Sequence, residues 1–337
     1  MKIALTYNLK PNGTYQHANW MADRYVEWDD AATIEAVQNA LAFEHDVVLI
    51  EDGLEIESRL RQAGPDMVFN MAEGEGGADR EAFIPLILQR CGIPFTGSSA
   101  QTLRLCLDKA ATQRILCRHG LPTLCGTIVV DPRMGLGIFS APQIVKPLHE
   151  GSSKGICVDS VVFDQDALRK QITWVIETYQ QPALVEPFLS GREFTVALLG
   201  NGETVQILPI VEICFDNLPS HSPALYAYEA KWIWDHPQHP LDLLHCPANI
   251  EPGLAQELRD LCRKAFNILG CRDWCRIDVR LDAEDQPYFL EVNPLPGVLP
   301  DPNSHSCFPK AAAEAGITFP DLIRRVLRHA CERYQLR

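Results

Sequence analysis

Long apolar stretches are missing from this 337-residue sequence. No run approaches the roughly 20 residues of a membrane-spanning helix, and residues 1–7 are too short for the apolar part of a secretion signal. Positive charge is also scarce, since 30 lysines and arginines face 44 aspartates and glutamates. A net negative field repels nucleic acid and anionic membranes. We therefore expect a cytoplasmic protein with neither as a partner.

Cysteine pairs at the two-residue spacing of a zinc knuckle are absent as well, although the chain has 12 cysteines. They are scattered through apolar contexts, as Cys106 is between two leucines. Such cysteines are typical of reduced core thiols, and a scattered set does not indicate the disulfide framework of a small secreted protein.

Buried strands and amphipathic helices alternate through the first 97 residues. Strands are predicted at 2–7, 45–50 and 66–70, and helices at 28–41, 55–62 and 80–91. This alternation is typical of a parallel sheet with helices on its faces. The loop at 71–77 follows the third strand, at the edge where open sheets of this class place ligands. Its two glutamates would repel phosphate, so it is either a surface turn or a site for an ammonium group.

The rest of the chain mixes longer helices with strands. Helices are predicted at 103–119, 164–179, 254–269 and 319–334, and strands at 127–130, 143–147, 155–158, 183–189, 191–199 and 205–213. Residues 216–247 follow no period, and a segment of that length is usually functional. Residues 151–153, Gly-Ser-Ser, form the tip of a predicted hairpin. Its backbone N–H groups could cover phosphate oxygens, although any flexible turn has the same composition.

Two further strands carry polar side chains on one face. Arg276 and Asp278 lie two residues apart, and Glu291 and Asn293 repeat that spacing on the next strand. Alternate residues of a strand share a face, so the four side chains are expected to converge. Two carboxylates and an amide oxygen suit a hard cation such as Mg²⁺. An ordinary hairpin with a solvated face is the alternative for either strand alone.

Several motifs occur in an order that resembles the ATP-grasp ligases, and within them the D-alanine–D-alanine ligase family. The motifs are Gly92-Ile93-Pro94-Phe95-Thr96-Gly97, Asp108-Lys109, Val145-Lys146-Pro147, Glu150-Gly151-Ser152-Ser153, Glu186-Pro187-Phe188-Leu189-Ser190-Gly191-Arg192-Glu193 and Glu291-Val292-Asn293-Pro294-Leu295-Pro296-Gly297. The resemblance implies an α/β chain with the ATP-grasp fold, α+β in its ATP-binding half. It implies a parallel α/β domain at 1–97, a central domain at 98–185 and a catalytic domain at 186–337, with ATP between the last two.

The resemblance also implies roles for individual residues. Nucleotide contacts would come from Lys109, Lys146, Ser152, Ser153, Glu186, Phe188, Leu189, Glu193 and Lys231. Asp278, Glu291 and Asn293 would bind Mg²⁺, or Mn²⁺ in its place. Arg276 and the backbone of Gly297 would hold the oxyanion, while Glu27 and Ser152 would form part of a link across the substrate pocket. The implied reaction joins a small carboxylate substrate to an amine through an acyl phosphate. A homodimer is implied as well.

The substrate half departs from the family pattern. Trp232 stands where the family has a tyrosine, and an indole only donates a hydrogen bond. After Gly297 the family places a serine for the second substrate, and Ser304 is the candidate here. The substrates may therefore be other amino acids or a hydroxy acid acceptor. A protein that binds ATP without catalysis is a further alternative, against which the conserved-looking oxyanion donor Arg276 argues.

Overall fold

Three parallel strands form the first sheet of the computed structural model, which describes residues 1–11, 23–134, 139–140, 142–235, 240–301 and 304–336. Their order is β2-β1-β3. The strands are β1 (Lys2–Tyr7), β2 (Asp46–Glu51) and β3 (Met67–Asn70), and the helices between and after them are α1 (Ala31–Ala42), α2 (Ile56–Ala63) and α3 (Phe83–Cys91). The predicted parallel sheet is confirmed. Asp30 caps α1 by accepting from the backbone N–H of Thr33 at 2.7 Å.

Two predicted helices differ from the observed ones. The helix expected from residue 80 begins with a 3₁₀ turn, Arg80–Ala82, before α3. The single helix expected at 103–119 is wrong, because the chain forms α4 (Ala100–Leu107) and α5 (Lys109–Arg118) with a break at Asp108. Asp108 has an extended backbone, and its carboxylate accepts from Ala111 N at 2.8 Å, so it caps a new helix instead of continuing the old one.

A four-stranded antiparallel sheet follows, in the order β4-β7-β5-β6. Its strands are β4 (Thr127–Val129), β5 (Gln143–Pro147), β6 (Val161–Val162) and β7 (Ala183–Pro187), and helix α6 (Gln165–Tyr179) packs on it. The strand expected at 155–158 is wrong, since Gly155 has a φ of +69° and a 3₁₀ turn follows at Val158–Ser160. The strand that pairs with β5 is the next segment along the chain, β6.

The last sheet has six strands in the order β11-β10-β8-β12-β13, with β9 beside β8. The strands are β8 (Glu193–Gly200), β9 (Gln206–Ile207), β10 (Val211–Ile213), β11 (Leu244–His245), β12 (Asp273–Leu281) and β13 (Pro287–Asn293), and the helices are α7 (Pro252–Leu269), α8 (Cys307–Glu314) and α9 (Phe319–Tyr334). Helix α8 was not predicted. No helix in the described ranges is long and apolar enough to cross a bilayer.

The first sheet and the last share one hydrophobic core. Trp274 on β12 contacts the ring of Phe69 on β3 and the ring of Phe308 on α8. Arg333 on α9 donates to Asp273 at 2.7 Å and to the carbonyl oxygen of Phe95 at 2.9 Å. The N-terminal region is therefore fixed against the C-terminal sheet. The boundaries at residues 97/98 and 185/186 stay predictions.

Candidate active site

A cleft of about 920 Å³ lies between the four-stranded and the six-stranded sheets. All nine residues predicted to contact the nucleotide line it, namely Lys109, Lys146, Ser152, Ser153, Glu186, Phe188, Leu189, Glu193 and Lys231. Its volume falls within the range of cofactor and ligand sites. The motifs that are scattered along the sequence are thus brought to one place.

Lys146 on β5 and Glu186 on β7 form a buried ion pair inside the cleft. The two strands are antiparallel neighbours, and Lys146 Nζ lies 2.6 Å from Glu186 Oε2. The other carboxylate oxygen accepts from the side-chain amide of Gln113, which comes from α5. The sequence did not single out Gln113. Because both oxygens of Glu186 are held, its carboxylate has one fixed orientation at the wall of the cleft.

Lys109 connects the loop at 148–154 with the metal-binding strands. Its ammonium group donates to the carbonyl oxygen of Glu150 and lies 3.6 Å from Glu291 Oε2. The helix break at Asp108 makes Lys109 the first residue of α5, and its side chain is buried. The break that the sequence analysis missed is therefore what points this lysine into the cleft.

The four side chains predicted on the paired strands do converge. In the register of β12 and β13, Arg276 faces Asn293 and Asp278 faces Glu291. The guanidinium of Arg276 lies 2.9 Å from Asp278 Oδ2 and 3.1 Å from Glu291 Oε1. Asn293 donates its side-chain N–H to Glu291 at 3.0 Å, which leaves its amide oxygen to act as a ligand. The donor set of two carboxylates and an amide oxygen fits Mg²⁺.

The two carboxylates of this set differ in acidity. Burial raises the pKa of Asp278 to about 6, against the opposing effect of Arg276. Burial also acts to raise the pKa of Glu291, but Lys109 and Arg276 outweigh it and hold that pKa below its usual value. Thr195 on β8, another residue that the sequence did not indicate, donates its hydroxyl to Asp278. A divalent cation would favour the ionised form of both carboxylates.

At the far end of the cleft, Glu193 is held by an arginine. Arg280 on β12 lies 2.9 Å from Glu193 Oε2, and it also donates to the carbonyl oxygen of Ala224 at 2.6 Å. Its guanidinium stands 5.0 Å from the ring centroid of Phe188. Arg280 was not predicted, although it faces Glu193 in the strand register. It fixes the carboxylate and the aromatic ring that would meet a ribose and a base.

Lys231 lies on a π-helical turn, Ala230–Trp234, inside the segment that has no sequence period. Its ammonium group stands 5.9 Å from the ring centroid of Tyr226 and 5.4 Å from that of Trp232. Burial, followed by the charge of Arg276, lowers the pKa of Lys231. An anion beside this lysine would offset both effects, so the position suits a phosphate group.

A second pocket of about 700 Å³ adjoins the cleft. The remaining predicted residues line it, namely Glu27, Asn293 and Gly297. Four residues border both cavities: Ser152, Lys231, Arg276 and His305. Arg276 therefore reaches the metal carboxylates and the second pocket at once.

Two residues at the predicted departures are placed differently from the sequence expectation. Trp232 donates its indole N–H to the backbone carbonyl of Ser152 at 3.1 Å, so the link to the Gly-Ser-Ser loop is altered and not lost. Ser304 instead donates to the carbonyl oxygen of Asp301 at 2.6 Å and does not line the pocket. Ser306 does line it, and its hydroxyl donates to the carbonyl oxygen of Gly297 at 3.0 Å. Ser304 was therefore the wrong candidate, because the preceding insertion shifts the spacing.

Comparison with known proteins gives a consistent result. The family model described as D-ala D-ala ligase C-terminus matches residues 136–328. The D-alanine–D-alanine ligase of Bordetella avium is 33% identical over 318 residues, covering 92% of this chain and 91% of that protein. An uncharacterized protein of Sinorhizobium fredii is 38% identical over 268 residues, covering 80% of this chain and 75% of that protein.

Solved structures show the same fold. The crystal structure of D-alanine–D-alanine ligase from Bacillus anthracis complexed with ATP superposes with a TM-score of 0.72, at 20% identity and 99% coverage of both chains. The predicted ATP-grasp fold is confirmed. The roles of individual site residues stay predictions.

Proposed function

Because the chain belongs to the D-alanine–D-alanine ligase family, we propose that it joins a carboxylate substrate to an amine in a reaction that consumes ATP and requires Mg²⁺. The observation that carries the proposal is the position of Arg276. Its guanidinium contacts the two candidate metal carboxylates and borders the second pocket. A side chain so placed can act on the phosphoryl group and on the reacting carbonyl.

The first step is transfer of the γ-phosphoryl group to the carboxylate, which forms an acyl phosphate and releases ADP. Lys109, Lys146 and Lys231 line the cleft and would bind phosphate oxygens. Asp278, Glu291 and Asn293 would hold Mg²⁺, which neutralises charge on the transferring group. The lysines need not move far, since all three already line the cleft.

The second step is attack of the amine on the acyl carbon, which forms the amide bond and expels phosphate. Arg276 and the backbone N–H of Gly297 border the pocket where the tetrahedral oxyanion would form. Each such donor contributes about 3 kcal/mol to catalysis. The loop at 148–154 and Trp232 cover the junction of the two cavities and would exclude water, which otherwise hydrolyses the acyl phosphate.

We keep the substrate identities within a class. The acidic wall of the second pocket, with Glu27, Glu73 and Glu81, suits the ammonium group of an amino acid. Trp232 supplies no phenolic oxygen, which favours a second candidate acceptor, a hydroxy acid that would give an ester. The formal charge of −14 supports the absence of a nucleic acid partner, and the free cysteines of the described ranges support a reducing, cytoplasmic location. A homodimer is proposed from the family alone.

The test is incubation with Mg-ATP and pooled amino and hydroxy acids of both configurations. Phosphate release is followed, and products are identified by mass. We expect one phosphate for each product whose mass equals the two substrates less water. Glu291→Gln should abolish both signals while the protein stays folded. Phosphate release that no pooled acid stimulates would contradict the proposal and favour a protein that binds ATP without ligation.

A further inference from the structure

A buried arginine stands behind the acidic wall of the second pocket. The side chain of Arg80 is 1% exposed, and its guanidinium lies 2.7 Å from Glu81 Oε1 and 2.9 Å from Glu27 Oε1. Glu150 Oε2 lies 3.9 Å away and Glu73 Oε2 lies 4.0 Å away. Glu150 belongs to the loop at 148–154, whereas the other three carboxylates belong to the N-terminal region. Arg80 therefore sits where the two parts of the chain meet.

A second cation reaches the same carboxylates from the other side. Lys154 Nζ lies 2.7 Å from Glu150 Oε2 and 3.5 Å from Glu27 Oε2. The two oxygens of Glu27 are thus held by different cations, one from the N-terminal region and one from the loop. We name Arg80, Lys154, Glu27 and Glu150 the charge clasp.

The loop has no slack at the clasp. A Cβ atom on Gly151 would lie 2.5 Å from Glu27 Oε1, so only glycine lets the loop approach the carboxylate this closely. The side chain of Gln181 donates to the free oxygen of Glu150 at 2.8 Å. The docked position of the loop and the orientation of Glu27 are therefore defined by the same contacts.

The electrostatics favour an all-or-none arrangement. Glu27 is buried, yet the charges of Arg80, Lys154 and Lys109 outweigh burial and hold its pKa below the usual value. A buried charge that loses its partner is strongly destabilising, whereas the complete set is tolerated. Withdrawing the loop would remove Lys154 from Glu27 and Glu150 from Arg80 together. The loop is therefore expected to dock as a unit, and only against a correctly oriented Glu27.

The docked loop is shared by both halves of the site. The carbonyl oxygen of Glu150 accepts from Lys109, and Ser152 borders both cavities. We propose that Arg80 and Lys154 are positioning residues whose charge clasp couples phosphoryl transfer to a closed substrate pocket. This inference rests on the proposed ligase function. Without the clasp, water replaces the amine, attacks the acyl carbon and breaks its bond to the phosphate oxygen, so that the carboxylate and phosphate are returned without product.

The test compares Arg80→Met, Arg80→Lys and Lys154→Met with wild type. For Arg80→Met and Lys154→Met we expect product formed per phosphate released to fall at least 10-fold. The KM of the carboxylate substrate should rise about 10-fold, while the KM of ATP changes less than 3-fold. Arg80→Lys keeps the charge and should recover part of the coupling. Arg104→Met is the matched control, because Arg104 pairs with Asp79 on the exposed surface.

Two results would overturn the inference. One is an unchanged ratio of product to phosphate in both methionine variants. The other is an equal fall in every kinetic constant that Arg80→Lys does not relieve, which indicates a merely structural role. If Arg80→Met does not fold, the double variant Arg80→Met, Glu81→Gln removes one charge of each sign, and Lys154→Met stands by itself.

Hydrogen exchange of the backbone amides at 148–155 separates this inference from the proposed function. With Mg²⁺ and a non-hydrolysable ATP analogue, we expect these amides to be protected in wild type and to exchange at least 10-fold faster in Lys154→Met. That result can be obtained even if no ligation product is found. Equal protection in both proteins would show that the clasp does not hold the loop.

Discussion

The nucleotide cleft and the second pocket differ in how their charges are balanced. In the cleft, carboxylates stand beside cations: Glu186 beside Lys146, Glu291 beside Lys109, and Glu193 beside Arg280. In the second pocket, Glu27, Asp29, Glu73 and Glu81 line the wall, and only a few cations answer them. Burial raises the pKa of Glu73 well above its usual value, and burial raises that of Asp29 to about 7.

This difference indicates two kinds of ligand. A cleft with balanced pairs can release its lysines to phosphate oxygens while the metal ion takes the carboxylates. A pocket with excess carboxylate is stabilised by a bound cation, such as the ammonium group of an amino acid. The following variants test whether the two regions respond separately.

The largest effect is expected for Lys146→Met. It removes a predicted phosphate contact, so kcat/KM for ATP should fall at least 100-fold, as it does for the loss of one preorganised charge contact. The KM of the carboxylate substrate should change little. Because Glu186 is left buried without Lys146, the double variant Lys146→Met, Glu186→Gln is the folding control. If kcat/KM for ATP survives in both, the lysine does not bind the nucleotide.

Gln113→Leu should have a smaller effect confined to the cleft. Gln113 orients Glu186, and a hydrogen bond to a charged group contributes about 1.5 kcal/mol or more. We expect the KM of ATP to rise about 10-fold in steady-state assays. Gln101→Leu, on the exposed side of α4, is the control and should leave it unchanged. An equal rise in the KM of both acid substrates would break the separation of the two regions.

Much of the cleft could be predicted from the sequence, because its motifs are local. The alternation of Arg276 with Asp278 and of Glu291 with Asn293 predicted two facing strands, and the register pairs them as expected. Helix α9 was predicted with its observed bounds, Phe319–Tyr334.

What was missed depends on contacts between distant segments. Arg280 and Thr195 act through strand pairing, and neither has a local signal. Arg80 was assigned to an ordinary helix, and Lys154 to a mobile turn, because their partners lie up to 127 residues away, as Lys154 and Glu27 do. The spacing between Gly297 and Ser306 could not be read from the motif once the insertion lengthened it. Periodicity reports which face a residue occupies, but not which distant side chain meets it.

Trp232→Phe should affect the second pocket alone. It keeps the aromatic ring and removes the N–H that donates to the carbonyl oxygen of Ser152. One neutral hydrogen bond contributes about 1 kcal/mol, so the KM of the acceptor substrate should rise roughly 5-fold. Trp234→Phe, whose ring contacts His221 away from both cavities, is the control. A rise in the KM of ATP of the same size would show that the ring serves the cleft instead.

The smallest effect is expected for Asp29→Asn, and it concerns stability. The folded pKa of Asp29, about 7, lies above its ordinary value of 3.8, because burial raises it. The folded state therefore binds the extra proton, and stability is lost as pH rises between these values. At pH 8 the variant should have a free energy of unfolding larger by about 1 kcal/mol or more, and near pH 4 the difference should be small. Denaturant unfolding at both pH values checks this, and a difference that does not depend on pH would contradict it.

The most direct test of the ligase mechanism follows oxygen from the carboxylate substrate. Amino acids labelled with ¹⁸O in the carboxyl group are supplied with Mg-ATP, and the released phosphate is analysed by mass. If an acyl phosphate forms where the two cavities meet, each phosphate released with product carries one ¹⁸O atom from the carboxylate. Release of unlabelled phosphate alone would contradict the account.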